Sequence, residues 1–239
     1  MLKSIIHTKS TLVIAVLLAA CSSPEQQADS RPTDNRPNIL IILADDLGFS
    51  DLGSYGGEIQ TPNIDQLAYN GIRFTQFYNT SRCCPTRASL LTGLYPHQAG
   101  IGRMTFDTGK PGYRGFLKDN TVTIAEVLKD AGYKTGMTGK WHVSETERLE
   151  KEDQLKWLAH QADFAPFSDT ASYPTARGFD KYYGNIWGVV DYFDPFSLVN
   201  GKEPVTSVPD DFYYTDAITD STVAYIDQFS KTDQPFFIY

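Results

Sequence analysis

An apolar run at residues 38–44, with the sequence NILIILA, places the strongest constraint on the fold. A near-continuous run of this kind predicts a parallel strand that is buried on both faces. The run ends at Asp45 and Asp46, and open α/β sheets place their sites at the carboxyl ends of strands. Two adjacent carboxylates repel each other unless a cation lies between them, and Ca²⁺ or Mg²⁺ suits oxygen ligands. A turn or a helix cap is the alternative interpretation of this pair.

The elements that follow predict an α/β fold with a mostly parallel central sheet and helices on both faces. Capping residues and apolar spacing predict helices, and short β-branched or aromatic runs predict strands. The predicted helices are 61–71, 83–92, 120–132 and 214–229, and the further predicted strands are 72–78, 133–138 and 235–239. Because the last strand is just beginning where the sequence stops, we expect a truncated domain with an unpaired sheet edge.

Composition excludes one class of partner. The chain has 239 residues, is 41% hydrophobic and carries a formal net charge of −8. Such a chain is long enough to form a globular core. We expect no nucleic-acid partner, since no basic stripe is present that could neutralise phosphates.

The first 37 residues are predicted to direct export. Lys3 and Lys9 precede an apolar run at 12–20 that is too short to span a bilayer as a stable helix, and the run ends in Ala20 and Cys21. This ending resembles a bacterial lipobox. We therefore expect a lipoprotein signal peptide at 1–20, a lipid anchor at Cys21, a flexible tether at 21–37 and the N-terminal part of a larger folded domain at 38–239. An ordinary secretory signal cut near Ala20 is the alternative.

Either signal predicts a protein of the bacterial cell envelope. Ser22 follows Cys21, so the acidic residue that often retains lipoproteins in the inner membrane is missing from that position. An outer-membrane anchor facing the periplasm is therefore favoured over an inner-membrane one.

The remaining cysteines, Cys83 and Cys84, are adjacent in the sequence. Neighbouring cysteines form a strained disulfide at best, so we expect no disulfide framework. A redox role for the pair is one interpretation. A second interpretation depends on the spacing to two later residues, because Cys83 lies two residues before Pro85 and four before Arg87.

The Cys-x-Pro-x-Arg pattern is the one that a sulfatase-maturing enzyme recognises when it oxidises cysteine to formylglycine. Together with the preceding strand and its Asp-Asp pair, it resembles the sulfatase family of the alkaline-phosphatase-like superfamily over most of residues 38–239. The resemblance implies that Cys83 becomes formylglycine. It also implies that Asp45, Asp46 and the modified Cys83 ligate Ca²⁺, with Mg²⁺ as the other candidate.

A helix that begins at Cys83 suits this chemistry. Hydrated formylglycine is a geminal diol, and one hydroxyl, ionised by the metal and the helix dipole, attacks sulfur. The second hydroxyl then expels sulfate by carbon–oxygen cleavage. Arg87 lies four residues further on the same helical face and can hold charge near the diol.

A second group of polar residues follows the strand predicted at 133–138. Gly139-Lys140-Trp141-His142 comes directly after that strand, and Lys140 and His142 would point the same way if the strand continued. The motif resembles the family's Lys-x-His element. That resemblance implies that Lys140 contacts a sulfate oxygen and that His142 hydrogen-bonds the formylglycine hydroxyl and acts as a base.

The sequence therefore predicts a sulfatase of the arylsulfatase type, acting on aryl or carbohydrate sulfate esters after a maturing enzyme has converted Cys83. The alternatives are a phosphonate or phosphate ester hydrolase of the same superfamily and a non-catalytic sulfate-binding lipoprotein. Three metal ligands are too few for Ca²⁺, which prefers six to eight oxygens. We thus expect this chain by itself to bind metal weakly and to turn over poorly.

Overall fold

A mixed sheet forms the centre of the molecule. The computed structural model describes residues 34–145 and 168–239, and within these ranges the sheet has six strands. The strands are β1 Ile39–Leu40, β2 Lys134–Thr138, β3 Lys181–Asn185, β4 Leu198–Asn200, β5 Glu203–Pro204 and β6 Phe236–Ile238. Their spatial order is β1-β6-β2-β3-β4-β5. The first four in this order run parallel, and β4 and β5 are antiparallel, which confirms the predicted mostly parallel sheet.

Helices precede or follow the parallel strands. The described residues form α1 Pro62–Asn70, α2 Cys83–Thr92, α3 Pro96–Ala99, α4 Ile124–Asp130 and α5 Tyr214–Phe229. Short 3₁₀ turns occur at Gly53–Tyr55, Thr170–Ser172 and Pro174–Ala176. Helices α2 and α5 have the predicted bounds. None of the described helices combines the length and the apolar composition needed to cross a membrane.

Both faces of the sheet are packed, as β6 shows. Phe236 and Ile238 pack with Phe229 of α5. Phe237, which lies between them, belongs to the larger core on the other face, together with residues of α2 and α4. Because successive side chains of a strand point to opposite faces, this alternation places helices on both sides of the sheet, as the sequence predicts.

Helix α4 begins at Ile124, four residues later than the predicted start at Asn120, and its cap is Thr123. Thr123 Oγ1 accepts a hydrogen bond from the Glu126 N–H at 3.1 Å, and Glu126 Oε2 accepts one from the Thr123 N–H at 2.7 Å. This reciprocal capping box satisfies donors that would otherwise be orphaned at the helix start. The structure therefore selects Thr123 as the cap, and Gly132, with a φ of 88°, follows the end of the helix.

Asp180 connects β3 to β2 and α4. Its carboxylate accepts hydrogen bonds from the Thr135 N–H at 3.0 Å and the Thr135 hydroxyl at 3.1 Å. Lys129 Nζ lies 2.7 Å from the other oxygen. Although partial burial opposes ionisation, the hydrogen bonds to Lys129 and Thr135 lower the pKa of Asp180 below 3.8.

Two predicted strands differ from the structure. Residues 72–78 form no strand; their contacts include Arg73 donating to the Ser54 carbonyl at 2.5 Å and Tyr55 donating to the Phe74 carbonyl at 2.9 Å. Strand β1 is shorter than the predicted 38–44 and is not buried on both faces. It lies at the edge of the described sheet, where Ile42 is 77% exposed. The predicted signal peptide and most of the predicted tether lie in residues 1–33, outside the described residues.

Candidate active site

Helix α2 begins at Cys83, after a turn in which Asn79 bonds the backbone two residues later. Asn79 Oδ1 accepts a hydrogen bond from the Ser81 N–H at 2.7 Å, and Ser81 has a left-handed φ of 63°. Arg82 returns to extended backbone, with φ −137° and ψ 150°. Cys83 therefore lies at a helix N-terminus, where the aligned peptide dipoles stabilise negative charge.

A cavity of about 360 Å³ opens beside the start of α2. Its volume falls within the range of about 300–1,000 Å³ that is typical of small-ligand sites. The lining residues are Leu43, Ala44, Asp45, Asp46, Leu47, Asn79, Ser81, Arg82, Cys83, Thr86, Arg87 and Met104. The structure thus brings four of the predicted site residues, Asp45, Asp46, Cys83 and Arg87, to one cavity.

The two aspartates follow β1 at its carboxyl end. Asp45 accepts a hydrogen bond from Lys140 Nζ at 2.7 Å, and Arg87 Nη2 lies 3.8 Å from its other carboxylate oxygen. Asp46 has a φ of 56°, a left-handed conformation that is unusual for a residue other than glycine. The chain therefore turns sharply at the point where the carboxylates enter the cavity wall.

Arg87 connects the start of α2 to the segment after β2. It is 4% exposed, and its Nη1 donates to the Lys140 carbonyl. Its position one helical turn after Cys83 matches the spacing of the motif. A buried guanidinium beside an aspartate remains charged, so Arg87 supplies fixed positive charge to the cavity.

Lys140 and His142 reach the site by a different route from the one predicted. The two side chains were expected to point the same way only if the strand continued, and it does not continue, because β2 ends at Thr138 and the backbone is left-handed at Gly139 (φ 87°) and at His142 (φ 57°). Trp141, between the two, is fully buried. Lys140 contacts Asp45, whereas His142 contacts Cys84, so the two side chains have different partners at the site.

Two cysteines and a histidine form a compact cluster. The sulfurs of Cys83 and Cys84 and one ring nitrogen of His142 lie within 4.8 Å of one another. Cys84 Sγ lies 3.2 Å from His142 Nε2 and 3.9 Å from Met104 Sδ. Cys84 and His142 are almost completely buried, whereas Cys83 is partly exposed.

The three side chains of the cluster have pKa values that are shifted in different directions. Hydrogen bonds from Cys84 and then from His142 hold the pKa of Cys83 well below its ordinary value. The hydrogen bond to Cys83, together with burial, raises the pKa of Cys84. Burial lowers the pKa of His142 below 6.5. At neutral pH the arrangement therefore favours an ionised sulfur at Cys83 beside a neutral imidazole.

Gly188 packs directly against the ring of His142. A Cβ at this position would lie 2.0 Å from His142 Cε1 and 2.2 Å from Nε2. No side chain fits there without moving the imidazole, since real Cβ contacts are not that short. Nδ1 of His142 is buried and has no hydrogen-bond partner among the described residues. Packing therefore contributes to the position of this ring.

The oxygen donors at this end of β1 fit a hard divalent cation in kind but not in number. Asp45 and Asp46 supply carboxylates, and Asn79 places an amide group on the same cavity. Ca²⁺ takes six to eight oxygen ligands. Among the described residues, Asp45 has Lys140 and Arg87 as its cationic partners.

Three contributors to the site were not predicted from the sequence. Met104 and Asn79 line the cavity, and Gly188 packs on His142. Asn79 carried a weak signal, because it lies in the loop that leads into Cys83. Met104 and Gly188 carried none, since their proximity depends on the tertiary fold.

Known proteins match this chain over most of its length. The sequence profile of the Sulfatase family matches residues 37–239. The arylsulfatase of Klebsiella aerogenes is 34% identical over 234 residues, which cover 95% of this chain and 45% of that protein. The solved structure of Ps i-CgsB in complex with k-i-k-neocarrahexaose has a TM-score of 0.65 and 30% identity, over 85% of this chain and 44% of that one.

A second solved structure, BT4656 in complex with its substrate D-glucosamine-2-N,6-O-disulfate, has a TM-score of 0.61 and 27% identity, over 85% of this chain and 33% of that one. The chain thus spans less than half the length of each of these three proteins. The profile match covers far more than half of this chain. The chain belongs to the sulfatase family.

Proposed function

We propose that this chain forms the nucleophile-bearing part of a sulfatase active site that hydrolyses sulfate esters. The observation that carries the proposal is the meeting of Cys83, at the start of α2, with Asp45, Asp46 and Arg87 on one cavity. Lys140 joins them through its 2.7 Å hydrogen bond to Asp45. A residue at a helix N-terminus, flanked by two cations, suits a nucleophile that attacks an anionic ester.

Cys83 is the position that becomes formylglycine in this proposal, through a sulfatase-maturing enzyme as partner. The hydrated aldehyde supplies one hydroxyl to attack sulfur and a second to release sulfate. His142 accepts the proton of that second hydroxyl. Burial keeps the imidazole neutral at pH 7, as a proton acceptor requires.

Asp45 and Asp46 would hold the divalent cation, with Ca²⁺ favoured over Mg²⁺ by the carboxylate and amide oxygens around the cavity. The cation supplies positive charge to the nucleophile and the sulfate group when it is bound. Arg87 is buried and fixed, so it orients the reacting end of the ester without any rearrangement. Lys140 contacts a sulfate oxygen in the same proposal.

Charge favours a sulfate over a phosphate ester. Arg87 and Lys140 are both close to Asp45, which offsets part of their charge. A sulfate monoester carries one negative charge, whereas a phosphate monoester carries up to two near neutral pH and needs more cationic compensation. The phosphonate or phosphate ester hydrolase therefore ranks second.

Sulfated carbohydrates are the proposed substrate class, with aryl sulfates as convenient reporters. Two of the related structures contain carbohydrate ligands, a neocarrahexaose in one and a disulfated glucosamine in the other. The exposed aromatic residues Tyr192 and Phe193, in the loop after β3, offer surfaces on which sugar rings can stack.

The test measures modification and turnover together. This chain and the full product of its gene are co-expressed with a formylglycine-generating enzyme, and mass spectrometry reports the aldehyde at position 83. Hydrolysis of aryl sulfate and aryl phosphate is then compared with and without Ca²⁺. We expect aldehyde at Cys83 and Ca²⁺-dependent sulfate hydrolysis by the full gene product, with weak turnover by this chain.

Two variants provide the controls. Cys83→Ala should abolish both aldehyde and turnover, whereas Cys84→Ala should retain the aldehyde because the motif counts from Cys83. If the full gene product carries the aldehyde and binds sulfated ligands but hydrolyses none, the non-catalytic sulfate-binding alternative replaces the proposal. Preferential hydrolysis of the phosphate ester would instead assign the chain to the phosphate ester alternative.

The cellular location forms a separate proposal. The signal peptide at 1–20 and the lipid anchor at Cys21 place the protein in the bacterial cell envelope, on the periplasmic side of the outer membrane. Fractionation of cells that express the protein tests this. Wild-type protein should sediment with outer-membrane vesicles, and Cys21→Ser should move it to the soluble periplasmic fraction; equal sedimentation of both would refute the anchor.

A further inference from the structure

The cluster at the start of α2 has the composition of a soft-metal site. We propose that Cys83, Cys84 and His142 bind one Zn²⁺ ion while Cys83 still carries its thiol. This inference goes beyond the proposed hydrolysis, because it concerns the chain before conversion and requires no turnover. Neither the Asp-Asp pair nor a sulfate ester takes part in it.

The geometry is close to that of a zinc site. The three ligand atoms lie within 4.8 Å of one another, and Cys84 Sγ is 3.2 Å from His142 Nε2. Zn–S bonds of about 2.3 Å and Zn–N bonds of about 2.0 Å place tetrahedral ligand atoms about 3.5–3.8 Å apart. Adjustments of about 1 Å or less therefore convert the observed cluster into a metal-bound one.

The donors select for a soft cation. Two thiolates and an imidazole are ligands that favour Zn²⁺ over Ca²⁺ or Mg²⁺. Met104 Sδ, 3.9 Å from Cys84 Sγ, adds a further soft and polarisable atom to the surroundings. The hard donors Asp45 and Asp46 lie on the same cavity as Cys83. Cys83 is thus close to two kinds of donor. The sulfur and imidazole donors of the cluster favour a soft cation, and the carboxylates of Asp45 and Asp46 favour a hard one.

The charges around the cluster permit a dication. Two thiolates and Zn²⁺ together are neutral, because binding releases any proton that the two sulfurs still carry. Lys140 Nζ donates to Asp45 at 2.7 Å. The Arg87 side chain is directed to Asp45 and to the Lys140 carbonyl. Both cations therefore share the Asp45 carboxylate as a counter-charge outside the cluster.

The framework that holds the ligands is rigid. Cys83 and Cys84 are the first two residues of α2, and Cys84 is fully buried. His142 is confined by Gly188, which packs against its ring. Because the ligands are held by a helix and by close packing, their side chains lose little conformational entropy when the cation binds.

The test is a Zn²⁺ titration of the full chain. The protein is expressed without a maturing enzyme, mass spectrometry verifies the thiol at Cys83, and the sample is reduced and freed of metal. Competition with a chromophoric chelator gives stoichiometry and affinity, and Co²⁺ serves as a spectroscopic probe. We expect one equivalent of Zn²⁺, a thiolate-to-cobalt charge-transfer band, and no displacement of Zn²⁺ by excess Ca²⁺.

Variants identify the ligands. Cys83→Ser and Cys84→Ser should each weaken Zn²⁺ binding by more than about 100-fold, since even residues outside the ligand shell of a metal contribute about 10- to 100-fold. The matched control is His97→Ala, which removes an exposed imidazole outside the cluster. It should bind like the wild type.

Circular dichroism separates loss of ligand from loss of fold, and Cys83→Ser remains informative if the buried Cys84→Ser unfolds, because Cys83 is partly exposed. Wild-type affinity in Cys83→Ser would overturn the proposal. So would a cobalt spectrum without the charge-transfer band, or an equal loss in the His97→Ala control. None of these outcomes depends on whether the chain hydrolyses sulfate.

Discussion

The two adjacent cysteines at the start of α2 differ in their exposure to solvent. Cys83 is partly exposed on the cavity, and Cys84 is fully buried beside His142 and Met104. A helix turns by about 100° per residue, so adjacent side chains face different surroundings. The sulfur of Cys83 is therefore accessible to reagents, and the buried sulfur of Cys84 stabilises it by a hydrogen bond.

The lowered pKa of Cys83 predicts its alkylation behaviour. A pKa below the ordinary value keeps the thiolate populated as the pH falls, so the rate with iodoacetamide should change little between pH 8 and pH 6. An ordinary thiol with a pKa of about 8.5 would slow by nearly 100-fold over that interval. Mass spectrometry of the unconverted, metal-free chain should find the label at Cys83 and not at Cys84.

Cys84→Ala is the informative control for this prediction. It removes the hydrogen bond that contributes most to the lowered pKa of Cys83. The alkylation rate of Cys83 in this variant should depend more steeply on pH than in the wild type. A wild-type rate that already falls like that of an ordinary thiol would contradict the assigned environment.

Gly188→Ala tests whether packing positions His142. The added methyl group would overlap the imidazole, so we expect the free energy of unfolding to fall by about 1–3 kcal/mol, as in other overpacked cores. Gly112→Ala is the matched control, because its Cβ would lie 3.4 Å from the nearest atom. Urea unfolding of both variants measures the difference, and equal stability would remove Gly188 from the site.

Most of the site could be predicted from local sequence, and the rest required the tertiary structure. Asp45, Asp46, Cys83 and Arg87 were grouped because their motifs, in this order, resemble those of the sulfatase family. The backbone route to His142 could not be predicted, since left-handed conformations at Gly139 and at His142 itself replace the expected strand. Pattern alone does not reveal such a turn at a residue other than glycine.

At the scale of elements, side-chain bonds between neighbours hold the parallel strands in register. Asp180 accepts two hydrogen bonds from Thr135 and an ion pair from Lys129. It therefore connects β3 to β2 and to α4. Replacement of this one carboxylate affects three elements.

Asp180→Asn should be destabilising in a pH-dependent way. The folded-state pKa lies below the unfolded value of 3.8, so the contribution is complete above that value and is lost as pH falls through the folded pKa. We expect a loss of about 1 kcal/mol at pH 7 that disappears towards pH 2. Thermal unfolding of wild type and variant across this range measures the convergence.

Asp227→Asn is the control for the carboxylate at Asp180. Asp227 pairs with Lys231 at 2.7 Å, but both side chains are more than two thirds exposed. An exposed pair of this type contributes little, so the variant should match the wild type at every pH. A constant difference between Asp180→Asn and wild type down to pH 2 would assign the effect to something other than ionisation.

Element types were easier to predict than element bounds. Helix α5 was predicted at the residues where it occurs, because its apolar positions recur at helical spacing over 16 residues. Residues 72–78 were wrongly predicted as a strand. Their β-branched and aromatic residues favour extended structure, but no described strand pairs with them, and a strand requires a partner.

At the scale of the whole molecule, the described sheet ends in two different kinds of strand. The antiparallel strand β5 borders one side, whereas the parallel strand β1 borders the other. Leu40 and Ile42, two residues apart and thus on one face, are 47% and 77% exposed. Open apolar edges of this kind promote association between chains.

Ile42→Lys should reduce that association. A lysine at a sheet edge opposes edge-to-edge pairing, so static light scattering of concentrated samples should fall relative to wild type. Val127→Lys, at an exposed position of α4, is the matched control and should leave scattering unchanged. If both variants scatter like the wild type, the β1 edge is not the site of association.

The fold class was predictable because it depends on element order, whereas the position of β1 in the sheet was not. The expectation of a strand buried on both faces came from its uniformly apolar sequence. In the described sheet β1 has β6 as its partner and lies at the border. An apolar sequence indicates that both faces of a strand are to be buried. It does not indicate which part of a protein buries them.

The pairing of β1 with β6 joins two strands that are synthesised at widely separated times. Asn38 Oδ1 accepts a hydrogen bond from the Phe236 N–H at 3.0 Å, across a separation of 198 positions. At about 5–20 residues per second, a ribosome needs about 10–40 s to cover that distance. During this interval the segment that carries Asp45 and Asp46 has emerged without its strand partner. The segment that carries Asp45 and Asp46 therefore gains its strand partner long after the residues of α2, including Cys83, have been synthesised.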